Sequence, residues 1–96
     1  MDLLMIVSTP EAEPIALGLA GAASRSDVNW GVFFTNDGVK ALASKDLVAA
    51  LSNAGMSIAC QDSWQHHMGE TPCPVELGSQ TNNSLAVADA SKIISL

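Results

Sequence analysis

Basic residues are scarce in this chain: Arg25, Lys40, Lys45 and Lys92 stand against ten acidic side chains, for a formal charge of -6. Four scattered cations offer no cluster able to neutralise successive phosphates, which makes nucleic acid and anionic membranes poor partners. Cysteine is nearly absent as well. Cys60 and Cys73 are the two present, too few for a disulfide framework, and they read as free thiols in a reducing compartment. The apolar opening, Leu3 to Val7, is too short to span a membrane, follows Asp2 instead of a basic region, and lacks a small-residue cleavage site. The expectation is a cytoplasmic protein. No internal repeat, linker or low-complexity segment is found. Gly18 and Gly21 fall inside a helical pattern, so neither a dinucleotide fingerprint nor a P-loop is present.

What the chain has is apolar content. It is 48% hydrophobic and 15% charged over 96 residues, and a single domain of this size hides only about 60 to 70% of the surface its unfolded form exposes. Residues 1–96 therefore read as one domain with apolar surface left over, which predicts a homo-oligomer.

Leu3 to Val7 is a continuous apolar run, as expected of a strand covered on both faces, and Ser8-Thr9-Pro10 ends it. Glu11 to Ala23 follows as a helix, with acidic residues and Pro14 at its start and small apolar residues after them. Val28 to Thr35, rich in β-branched and aromatic residues, reads as the second strand and stops at Asn36-Asp37-Gly38. From Val39 to Asn53 the apolar spacing predicts a second helix, stopped by Asn53-Ala54-Gly55 with Gly55 in a left-handed conformation. Met56 to Cys60 is the third strand. Asp62 to His67 reads as a short helix opened by a capping Asp62 or Ser63, and Gly69 to Pro74 as a loop. Val75-Glu76-Leu77 reads as a brief strand, Thr81 to Ala90 as a helix, and Ile93 to Leu96 as a last strand.

Strands alternating with helices imply right-handed crossovers and a parallel sheet. The predicted fold is a small three-layer α/β/α domain with a Rossmann-like sheet of about four to five strands. In such a sheet ligands gather outside the carboxyl ends of the strands. That places Ser8, Thr9, Thr35, Asn36, Asp37, Gly38, Cys60 and Gln61 on one rim, with Cys60 its nucleophile. The turn residues shape the rim, since asparagine, aspartate and glycine tolerate unusual backbone angles.

The run Val32-Phe33-Phe34-Thr35-Asn36-Asp37-Gly38-Val39 and the strand end Ser57-Ile58-Ala59-Cys60-Gln61-Asp62-Ser63 resemble the DsrE-like sulfur-relay family. The similarity extends over nearly the whole chain and includes the tail Ser84 to Leu96. Two departures are Gln61, where the family pattern has glycine, and the loop His66 to Pro74. The resemblance implies assembly into trimers or hexamers, and a cysteine, Cys60 by position, that accepts sulfane sulfur as a persulfide and passes it to a partner protein's thiol. Donor and acceptor proteins are then its partners, and no cofactor is required.

His66 and His67, six and seven residues beyond Cys60, are candidate auxiliaries able to take the thiol proton. Cys73, between Pro72 and Pro74, is a candidate resolving thiol. These four residues lack the close ligand pairs of a standard zinc site, and no metal is expected. Two other functions use the same residues. One is a non-catalytic oligomeric binding or scaffold protein with a buried Cys60, and the other a redox sensor pairing Cys60 with Cys73.

Overall fold

The computed structural model describes Met1–Leu96 and shows a parallel sheet of five strands. They are β1 (Leu3–Val7), β2 (Trp30–Phe34), β3 (Met56–Cys60), β4 (Glu76–Gly78) and β5 (Lys92–Ser95), in the order β4-β3-β2-β1-β5. The helices are α1 (Glu13–Arg25), α2 (Lys45–Ala50), α3 (Gln61–Met68) and α4 (Gln80–Asp89), with 3-10 segments at Pro10–Ala12, Asn36–Ala43 and Leu51–Asn53. The small α/β domain with a parallel sheet is thus as the sequence implies. No helix is long and apolar enough to cross a membrane.

The strand order decides where the helices lie. From β1 to β4 each strand is laid beside the last in one direction, so right-handed crossovers put α1, α2 and α3 on one face. The connection from β4 to β5 runs back across the whole sheet, and the same handedness puts α4 on the other face. Its position there is visible at Gly78, where an added Cβ would meet both Asn82 of α4 and Ile58 of β3.

The two faces differ in how they are filled. Under α1 to α3 lies the main core, in which Met5, Val7, Trp30, Val32, Phe34 and Ala59 meet Leu42, Leu47 and Trp64. The α1 helix contributes Ala12, Ala16, Ala20 and Ala23, and these short side chains let its backbone approach the sheet closely. On the α4 face Phe33, Ile58 and Cys60 form a smaller cluster against Met56. The alternation of side chains along a strand thus sends Cys60 to the thin side of the molecule.

Several boundaries differ from the sequence reading. The helix expected from Val39 to Asn53 is broken into a 3-10 segment, α2 and a second 3-10 segment. The break falls at Ser44, which is extended (φ -75°, ψ 116°) and caps α2 by accepting the Leu47 N–H at 3.2 Å. Its own hydroxyl donates to Glu13 Oε1 at 3.0 Å, tying the cap to α1. Gly55 does not adopt the left-handed conformation expected of it; among the glycines only Gly69, after α3, has a positive φ, 61°. The first helical stretch divides into Pro10–Ala12 and α1, and α4 starts at Gln80 because Ser79 forms a capping box with Asn82.

Candidate functional site

Cys60 is the last residue of β3 and the N-cap of α3, a position reached because Gln61 already has helical geometry. The expected cap by Asp62 or Ser63 is therefore replaced: both lie inside the first turn of α3. As a residue Cys60 is only 6% exposed, yet its side chain lines a cleft of about 300 Å³ together with Gln61, Asp62, Ser79, Gln80 and Thr81. Its partner in the sheet is Gly78.

This cleft lies at the switch point of the sheet. The helix after β3 goes to one face and the helix after β4 to the other, so the chain parts between the two carboxyl ends. Such a crevice is where open α/β sheets bind ligands. Here the N-termini of α3 and α4 both open into it.

The electrostatics favour an anion on the sulfur. Burial pushes the Cys60 thiol up, but four hydrogen bonds outweigh it and hold the thiol below the ordinary cysteine value. In order of size they come from the Ser63 hydroxyl, the Ser63 N–H, the Gln80 carboxamide and the Asp62 N–H. The sulfur does not form a strict cap bond as a neutral thiol. The N–H groups of Asp62 and Ser63, at the second and third helix positions, instead serve its charged form. Cys73 is the opposite case. Burial raises it above the ordinary value, with only the Val75 N–H pulling it down.

The remaining candidate residues are spread around this centre. Asn36 has a left-handed backbone (φ 52°), and its N–H donates to Ser63 Oγ at 2.9 Å, docking the β2 turn onto α3. Asp37 pairs with His67, Oδ1 to Nε2 at 3.4 Å. Gly38 is buried against β1, where a Cβ would collide with the Val7 carbonyl. Thr9 lies apart, bonded to Glu11 before α1. Gln61 lines the Cys60 cleft and also a second one, which contains Cys73, Trp64 and Gly69 to Pro72. Neither histidine is among the groups bonded to Cys60. Cys60, His66, His67 and Cys73 do not gather into a metal-binding group. Trp64 is buried packing; its Nε1–H donates to the Thr71 carbonyl at 2.7 Å and fixes the loop after α3.

Two contributors escaped the sequence reading: Ser79 and Gln80. The signal for them is Ser79 with Asn82 three positions on, a capping pattern that puts the N-terminus of α4 at the rim. Thr35 accepts a hydrogen bond from Gln80 Nε2 at 3.3 Å, a contact across 45 residues that no local pattern announces. Compared with known proteins, the chain matches no family model and no curated relative.

Proposed function

We propose that the protein is a sulfur carrier of the DsrE-like kind, in which Cys60 holds sulfane sulfur as a persulfide. The supporting observation is a thiol held below its ordinary pKa in a cleft at the switch point of a parallel sheet. The resemblance of Val32 to Val39 and Ser57 to Ser63 to that family agrees with it.

The chemistry has two exchange steps. The Cys60 thiolate attacks the outer sulfur of a donor persulfide; a new S–S bond forms, the donor S–S bond breaks, and the donor leaves as a thiolate. The acceptor's thiolate then attacks the outer sulfur carried by Cys60, and Cys60 leaves as the thiolate in its turn. No electrons are gained or lost overall. The Ser63, Gln80 and Asp62 donors serve both steps, since Cys60 is an attacking thiolate in one and a leaving thiolate in the other. Sulfane donor and acceptor proteins are the partners on this reading, along with further copies of the chain.

Intact mass after incubation with polysulfide, followed by peptide mapping, tests the proposal. Wild type and Cys73→Ser gain the mass of one sulfur on Cys60, and Cys60→Ser gains none while keeping its fold. Loading of Cys73 with Cys60 left unmodified would reject the carrier in favour of a scaffold protein. A reversible loss of two hydrogens would indicate a redox pair.

A further inference from the structure

Two side chains, Ser63 and Gln80, lie beside Cys60 and favour its thiolate, and both are held from the same place. Ser63 Oγ accepts the Asn36 N–H at 2.9 Å, and Gln80 Nε2 donates to Thr35 Oγ1 at 3.3 Å. Thr35 and Asn36 are the first residues after β2, the strand beside β3. The hydrogen count at each donor gives this anchoring a consequence. A hydroxyl has one hydrogen and two lone pairs, so Ser63, having accepted from Asn36, keeps its hydrogen for the sulfur. A carboxamide nitrogen has two hydrogens, so Gln80, which lines the cleft, gives one to Thr35 and keeps the other available.

We propose that Thr35 is a positioning residue for Cys60, its hydroxyl orienting the Gln80 carboxamide across the cleft so that an N–H faces the sulfur. Thr35 does not itself line the cleft, and it acts on the thiol through Gln80, which does. The backbone N–H of Asn36 does the same for Ser63, and its left-handed conformation aims it there. The β2 turn is in this way the outer support of the site. Gln80 is exposed and on the first turn of its helix, where a free glutamine side chain samples many rotamers. A fixed partner removes that freedom. The ionisable groups on the elements around the cleft are Asp62, His66 and His67 of α3, Asp37 and Lys40 of the segment after β2, Glu76 of β4 and Asp89 at the last position of α4, whose first turn has none.

This inference rests on Cys60 being the reactive thiol, and its test does not depend on sulfur loading. In a Cys73→Ser background, the ultraviolet absorbance of the Cys60 thiolate is titrated against pH for the parent, Thr35→Val, Thr35→Ser, Gln80→Ala and the Thr35→Val/Gln80→Ala double variant. Valine keeps the shape and the extended backbone of Thr35 (φ -140°, ψ 162°) and removes only the hydroxyl. Thr35→Val is expected to raise the midpoint and lower the thiolate fraction at neutral pH about threefold, part of the worth of a hydrogen bond to a charged group. Thr35→Ser restores the parent midpoint, and Thr35→Val adds no shift once Gln80 is alanine. An unchanged midpoint in Thr35→Val, or a full added shift in the Gln80→Ala background, would overturn the inference. If these shifts appear while polysulfide leaves every thiol unloaded, the carrier function fails and the positioning role stands.

Discussion

A methyl group on Gly38 would meet the carbonyl of Val7 and come within 2.9 Å of Ser8 Cα, all backbone atoms of the neighbouring strand's exit. Backbone cannot turn aside as a flexible side chain does. Gly38→Ala is therefore expected to lose roughly 2–4 kcal/mol in urea denaturation, as a clash in a packed interior does. Asp37 next to it is 60% exposed, and its pair with His67 sits in water. Asp37→Asn is expected to cost about 0.5 kcal/mol or less and to leave sulfur loading intact. The expectation that this turn shapes the rim rests on the same contrast: the residue that matters most there is the one without a side chain.

The pH dependence at Cys60 follows from the direction of its shift. A group held below its unfolded pKa stabilises the fold above the unfolded value, about 8.5 for cysteine, and the gain is lost as pH falls through the folded pKa. Cys73, raised by burial, runs the other way and loses its contribution as pH rises. In Cys73→Ser protein, the stability advantage over the Cys60→Ser/Cys73→Ser double variant should grow from neutral pH toward alkaline pH. Denaturation curves at several pH values measure it, and an advantage that shrinks with rising pH would contradict the donors assigned to the thiolate.

At the scale of elements, legibility tracked how local the determining interaction is. The strand Met56–Cys60 was readable to the residue because a short apolar run between Gly55 and a polar stretch has few alternatives. The helix from Val39 to Asn53 was misread because apolar spacing persists through Ser44, whereas the break is made by its capping bond to Leu47 and its tie to Glu13 on α1. Cys60 could be named from its strand end, but its cleft could not. The cleft needs β4 beside β3 and α4 on the opposite face, and strand order is not written in local periodicity. The start of α4 offers an element-scale test. Ser79→Ala removes the capping box and is expected to cost about 1 kcal/mol. It should also disturb Gln80 and so raise the Cys60 titration midpoint, whereas Ser52→Ala, on the far 3-10 segment, should not.

For the whole molecule, the unequal covering of the sheet matters most. Three helices pack one face, while the other has α4 alone and shows Leu85 at 67%, Val87 at 37% and Ile93 at 44% exposure. The homo-oligomer expected from composition would have to bury apolar surface of this kind. Light scattering at micromolar concentration is expected to show a species heavier than the 9.9 kDa chain. Leu85→Asp, which alters an exposed position and should spare the fold, is expected to shift that species toward monomer; a wild-type monomer would end the assembly proposal.

The return of the chain from β4 to β5 also has a temporal side. The outer edge of β1 is closed only by β5, through the ladder from Leu3 with Lys92 to Ile6 with Ser95, and by the Met1 amino group on Asp89 at 3.0 Å. On a ribosome β1 is made first of the five strands and β5 last. During that interval an apolar strand offers its unpaired amides to any neighbouring nascent chain, the condition under which strands of different molecules join. Shielding of Leu3 to Val7 by a chaperone over that period is therefore expected to raise the yield of folded chain, which pulse-chase synthesis with and without the chaperone measures.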